Sequence, residues 1–280
     1  MSVARVAIAH GEEAETLVRE ALAQIDADKL VRPGDRVVLK PNYVEPRMPD
    51  TGITTDARVI EAVIGWLRDL GVTNITVAEG GCSTAKTDRA FQMVGLPEIA
   101  RRYGAKLVNV FDDESVTVKI PGAMSLREIA LSKTVVEADC IINLPKLKCH
   151  CMAYVTLGIK NLMGAITVDK TIMHQDLDER LRDLASVLPY RLCVIDGLIG
   201  GEKHENAGAP VKTDVIIAGA DPVATDAVGA RVMGIDPAKV KHLRHCADHG
   251  LGELRAEKIE VVGAPIEQVR KKYDQPWGFG

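Results

Sequence analysis

The sequence predicts an α/β fold with a mostly parallel central sheet, flanking helices and a small antiparallel insertion. Two observations carry this. Short apolar runs of strand length alternate with longer segments whose apolar residues recur at helical spacing, almost from end to end. One stretch, 116–136, breaks that rhythm: VTVKI alternates apolar and polar residues before Pro121-Gly122 turns the chain.

Taken in order, residues 3–9 read as an apolar strand, and 12–26 as a helix with Leu17, Ala21, Leu22 and Ile25 on one face. Pro33, Gly34 and Asp35 turn the chain into a short apolar strand at 36–39. A loop with three prolines covers 40–55. Residues 56–70 form an amphipathic helix stopped by Gly71. A strand at 74–78 leads into the small-residue loop 79–84. Two short helices (88–94 and 97–103) and a strand (106–111) precede the insertion. The run 140–144 returns to the main sheet. A helix at 176–188 ends at Pro189, and 192–195 is a buried strand. The glycine-rich loop 197–210 leads to a strand at 215–218. Asp221 and Pro222 open a helix as N-cap and first-turn proline. A helix at 239–249 and a strand at 259–262 complete the series. The chain reads as one α/β domain, 1–280, with an insertion near 112–137 and a C-terminal tail at 264–280.

Composition narrows the function. Across 280 residues, 46% are hydrophobic and 26% charged, enough to bury a sizeable core. A net charge of −4 and 4% aromatic residues give nucleic acid neither an electrostatic footprint nor a stacking platform. No apolar segment approaches the roughly 20 residues of a membrane span, and the apolar run near the N-terminus is too short for a signal-peptide core. Six cysteines are too few for a disulfide scaffold. The expectation is a cytoplasmic protein with reduced thiols.

The chemistry concentrates at 141–164, IINLPKLKCHCMAYVTLGIKNLMG. A buried strand gives way to Lys146, Lys148, Cys149, His150, Cys151, Lys160 and Asn161, and the carboxyl ends of strands are where open α/β sheets bind ligands. Lys40-Pro41-Asn42 follows another strand directly, with proline fixing the directions of Lys40 and Asn42. Lys40, Asn42, Lys146, Lys148 and Asn161 are therefore expected to grip an anion. Lys160, expected as a catalytic residue, is placed at the start of a helix ending near Gly164, where an anion would sit on the helix N-terminus. His150, kept neutral by the lysines around it, is expected to transfer a proton or to ligate a metal together with His174. Cys82, after the paired glycines of 80–81, is a candidate nucleophile or metal ligand. No zinc-knuckle spacing and no ferredoxin-type cluster motif occurs. The loop at 200–204 reads equally as a lid or as plain surface. His242, His245 and His249 fall on one helical stripe and read as a solvated helix face rather than a metal site.

Lys40-Pro41-Asn42, the segment 144–164, His174, the loop after Asp196-Gly197 and the run DPVATD at 221–226 together resemble the domain-of-unknown-function 362 family over almost the whole chain. Members are often associated with ferredoxin-type iron–sulfur modules, so the resemblance implies redox chemistry and a ferredoxin-like partner. A remoter resemblance is to lactate racemase and its nickel-pincer relatives. There a strand-end histidine is followed by a lysine that tethers a nucleotide cofactor and then by a histidine that coordinates nickel. His150, Lys160 and His174 are similar in order. Cys82 stands where that family's loop carries a catalytic histidine.

These readings converge on a cytoplasmic enzyme that acts on a small anionic molecule, a carboxylate or phosphate-bearing compound, in a Lys/His-rich cleft. Redox chemistry is the first expectation. A racemase or isomerase with a metal-nucleotide cofactor is a second, and a non-catalytic metal or iron–sulfur carrier using Cys82, Cys149, His150 and Cys151 a third. A metal ion alone is the other cofactor considered. A second copy of the chain is an expected partner. Nucleic acid and membrane are not.

Overall fold

The computed structural model describes residues 3–275. Its strands are β1 (Ala4–His10), β2 (Arg36–Lys40), β3 (Asn74–Glu79), β4 (Lys106–Asn109), β5 (Ser115–Lys119), β6 (Glu128–Ser132), β7 (Cys140–Asn143), β8 (Lys146–His150), β9 (Tyr154–Val155), β10 (Leu192–Gly201), β11 (Pro210–Gly219) and β12 (Ile259–Gly263). The main sheet runs β12-β1-β11-β10-β7-β2-β3-β4, with β8 and β9 branching from β10. From β4 through β3, β2 and β7 to β10 every pairing is parallel. β11 is antiparallel to both neighbours, and β12 is parallel to β1. β5 and β6 form the expected small antiparallel sheet.

Period-two alternation sends neighbouring residues of each strand into different cores. Val6, Ile8, Val38 and Ile141 face one, together with the helices Leu177–Val187, Pro222–Val232 and Lys241–Asp248. Ala7, Leu39 and Ile142 face the other, together with the helices Ala14–Gln24 and Ala57–Asp69. Helices on both faces explain why the central strands are apolar throughout rather than alternating. The helix starts also follow local chemistry. Asp56 accepts from the Arg58 N–H and Asp221 from the Ala224 N–H, so both serve as N-caps.

The chain order creates the site. After β2 the connections build outward through β3 and β4, then cross back to β7 on the other side of β2. The crevice between the carboxyl ends of β2 and β7 is thus a topological switch point.

Three departures from expectation matter. Residues 146–150, expected as a catalytic loop, form β8, and all five are buried. The glycines of the 200–204 loop, read equally as lid or plain surface, belong to β10. A side chain at Gly200 would overlap the Tyr273 hydroxyl, and one at Gly201 would press on the Gly52 carbonyl. They are close-packing glycines, and the irregular segment shrinks to 202–209. His242 is also not solvated: it is fully buried, with Nδ1 3.4 Å from Asp178.

Candidate functional site

A cavity of about 580 Å³ opens at the switch point, a size suited to a small molecule. Its wall takes Asn42 from beyond β2, Glu79 from the end of β3 with the segment 80–84 after it, and His150 from the end of β8. Thr156, Lys160, Asn161 and Gly164 come from the next segment, Lys170 and His174 from the one after it, and Glu205 from the 202–209 loop.

Asparagines close the crevice between β2 and β7. Asn161 Nδ2 donates to the Lys40 and Pro41 carbonyls and to Asn143 Oδ1, at 3.2, 3.1 and 2.7 Å. Three acceptors fix that amide, so its oxygen must take the Asn42 Nδ2–H at 2.7 Å. Asn143 completes the chain by donating to the Gly158 carbonyl. Asn161 is therefore spent on holding two strand ends together. The far end of the chain is Asn42 Oδ1, a buried acceptor on a cavity-lining residue with no donor among the described residues. Thr156 Oγ1 is orphaned in the same way.

Three of the lysines expected on the cavity wall are not on it. Lys40 is fully buried and pairs with Glu79 at 2.5 Å. Burial lowers the pKa of Lys40 and raises that of Glu79, bringing the pair toward neutrality. Lys146 is buried against Asp196 at 2.8 Å. Lys148 donates to the carbonyls of Ile53 and Glu205, at 2.8 and 3.1 Å. Burial pulls it down to about 7, with Lys160 adding to the effect. These cations organise strand ends and loops instead of waiting for a ligand.

Gly164 shows how tightly one pair is enclosed, because a β-carbon there would overlap both the Glu79 carboxylate and the Lys40 ammonium. Gly164→Ala is expected to destabilise the fold by about 2 kcal/mol in chemical denaturation, an overpacking effect. A variant within about 0.5 kcal/mol of the parent would show that the pair can move aside.

Lys160 differs from the other lysines. It sits in the last turn of the helix Leu157–Asn161, not at its start. That helix N-terminus already holds a carboxyl group of the protein's own: Asp226 accepts the Gly158 and Ile159 N–H groups at 2.7 and 2.9 Å. The run 221–226 thus caps its own helix with Asp221 and anchors the Lys160 segment with Asp226. Lys160 itself is half-buried and lines the cavity, and it has no hydrogen-bond or ion-pair partner among the described residues. Burial brings its pKa down to about 8, with Glu205 opposing and Lys40 assisting.

Lys170, which no motif singled out, donates to the Gly80 carbonyl and, at 2.8 Å, to that of Gly81. It also lies 5.0 Å from the Phe111 ring centroid. It holds the loop that carries Cys82. Cys82 lines the cavity, but burial and then Glu45 raise its pKa. It remains a thiol, which is the less nucleophilic form. His150 is kept neutral, its pKa lowered chiefly by burial and then by Lys160 and Lys148. Its Nδ1 accepts from the Met152 and Ala153 N–H groups. His174 is exposed on the cavity lining.

His150, Cys151 and Glu205 place potential ligand atoms within 4.8 Å of one another. His174, Cys82 and Cys149 do not belong to that cluster. The expected four-residue carrier centre is therefore not assembled as such among the described residues, whereas His150 and His174 line the same cavity. Cys149 is fully buried, with its thiol toward the Asp274 carbonyl.

Among the described residues no helix is long and apolar enough to cross a membrane. The chain is 26% identical over 262 residues to a thylakoid-associated protein of Synechocystis sp., covering 88% of this chain and 78% of that protein. The lactate racemase apoprotein from Thermoanaerobacterium thermosaccharolyticum aligns with a TM-score of 0.49 at 12% identity, over 84% of this chain and 58% of that one. The chain thus spans less than two thirds of that structure's length. The model of a domain of unknown function, DUF362, matches residues 37–231, and the chain belongs to that family.

Proposed function

We propose that the protein is an enzyme that binds a small carboxylate- or phosphate-bearing molecule in this cavity and moves a proton through Lys160. The observation that carries the reading is the Lys160 ammonium: half-buried, on the cavity wall and unpartnered, beside lysines that all have partners. An unpaired buried charge is unfavourable, and a bound anion would relieve it. A lysine with a pKa near 8 also exchanges protons close to neutral pH, as a general acid or base must. Proton transfer at a carbon next to a carbonyl or carboxylate, the chemistry of racemases and isomerases, suits this arrangement. The redox alternative and its ferredoxin-like partner rest on the family resemblance alone.

Thermal unfolding with added malonate or inorganic phosphate tests the reading. Ligand binding to the native state alone raises the melting temperature, and the rise is expected at about pH 7. It should fade by about pH 9.5, once Lys160 has lost its proton. No response at either pH, or an equal response at both, would refute the proposal.

A further inference from the structure

The His150 ring is fixed by its own turn. Nδ1 accepts the Met152 N–H at 3.1 Å and the Ala153 N–H at 3.2 Å. Both donors require the lone pair on that nitrogen, and a proton there would point into them. Flipping the ring would set a carbon against the same two N–H groups, so the hydrogen-bond pattern fixes the orientation as well. In a neutral imidazole with Nδ1 as acceptor, the proton is on Nε2. The residue is 8% exposed and lines the cavity. We infer that His150 is locked as the Nε2–H tautomer and offers that N–H as a fixed hydrogen-bond donor to an oxygen of the bound ligand.

Two expected roles then fall away. A general base needs a free lone pair at Nε2, and none is there. A metal ligand binding through Nε2 needs the proton on Nδ1, donated to an acceptor, but Nδ1 faces two donors. The neighbouring donor atoms are committed too. The Cys151 N–H donates to Glu205 Oε2 at 3.0 Å and its thiol to Glu205 Oε1 at 3.3 Å. Burial, then Glu205, pushes that thiol up to about 11. Cys151 and Glu205 are thus bonded to each other, and His150 Nδ1 to its own turn. The metal implied by the racemase resemblance therefore does not fit at His150.

This inference deepens the proposed function and, for the ligand, rests on it. The ligand must place an acceptor oxygen, carboxylate or phosphoryl, at His150 Nε2 within a cavity that also presents the Lys160 ammonium. A neutral imidazole in this role stabilises negative charge growing on that oxygen without giving up its proton, a use of histidine known from other enzymes.

Long-range ¹H–¹⁵N correlation spectra of the whole ¹⁵N-labelled chain read the tautomer directly. His150→Asn identifies the signals among those of the seven histidines. The variant should still fold, because asparagine Oδ1 can take the place of Nδ1 beneath the turn, and His150→Gln serves if it does not. The expected pattern is Nε2–H from about pH 5.5 to 8.5, well above and below the ordinary histidine pKa, and unchanged by zinc. An Nδ1–H pattern, titration to imidazolium in that range, or a zinc-induced shift of the Nε2 signal would overturn the inference. In the same sample, His150→Asn should weaken phosphate binding about tenfold, the loss of one charge-assisted bond, and unchanged binding would overturn the donor role. An Nε2–H tautomer in a parent that binds no anion would instead refute the proposed function and leave the tautomer standing.

Discussion

Asp226→Ala is expected to destabilise the protein by about 3 kcal/mol, because it strands two buried donors, the Gly158 and Ile159 N–H groups. In a chain of this length the melting temperature should fall on the order of 6 °C. The segment it holds has no simple alternative conformation. Leu157 sits at φ 38 and Tyr154 at φ 70, both in the left-handed region that side chains disfavour, so the anchor opposes relaxation of the whole stretch carrying Lys160. Burial raises the Asp226 pKa to about 7 against the opposing pull of the two N–H bonds. The folded state then keeps a proton that the unfolded chain releases near the ordinary aspartate value of 3.8. Stability from this group is fully present below that value and is lost as pH rises through about 7. Denaturation at several pH values should therefore show a larger deficit for the variant in acid than in mild base. A deficit that grows with pH would mean that the N–H groups hold the carboxylate ionised.

The architecture is legible in the sequence wherever period and breaker agree. Gly71, Pro189 and Asp221-Pro222 mark helix ends that the fold respects within a residue or two. The site is legible as a region but not residue by residue. In KLKCH, Leu147 and Cys149 join the apolar core, while Lys146, Lys148 and His150 face the other way. That pattern reads as a solvated strand end because the lysines' partners are distant or silent. Asp196 lies fifty residues away, and the carbonyls of Ile53 and Glu205 leave no trace in side-chain identity. Lys170 escapes for the same reason, since it binds backbone oxygens. The Asp226 anchor is foreshadowed only by the 221–226 run, because its targets are N–H groups that every residue has. What separates a structural lysine from a functional one is the partner, and partners are set by the fold.

That distinction gives Lys160 and Lys146 opposite expected behaviour under the same substitution. Lys146→Met removes the counter-ion of Asp196, a carboxylate with no solvent exposure. It should cost about 3 kcal/mol or more, as breaking a buried pair does. Lys160→Met removes a charge that has no partner among the described residues. It should stabilise the fold by about 1 kcal/mol near pH 7 while abolishing the response to malonate and phosphate. The pH dependence follows from a folded pKa of about 8, below the ordinary lysine value of 10.5. Below 8 both states carry the proton, and the parent bears the full penalty of a buried charge. Between 8 and 10.5 the unfolded chain binds more protons, so parent stability rises with pH. The advantage of the variant should accordingly shrink across that window. The charged groups acting on Lys160, Glu205 and Lys40 first, are untouched by the change. Denaturation of both variants and the parent at pH values on either side of 8, with and without malonate, distinguishes the cases. If Lys160→Met is destabilised as Lys146→Met is, Lys160 belongs to the framework, and the cavity must take its anion by other means.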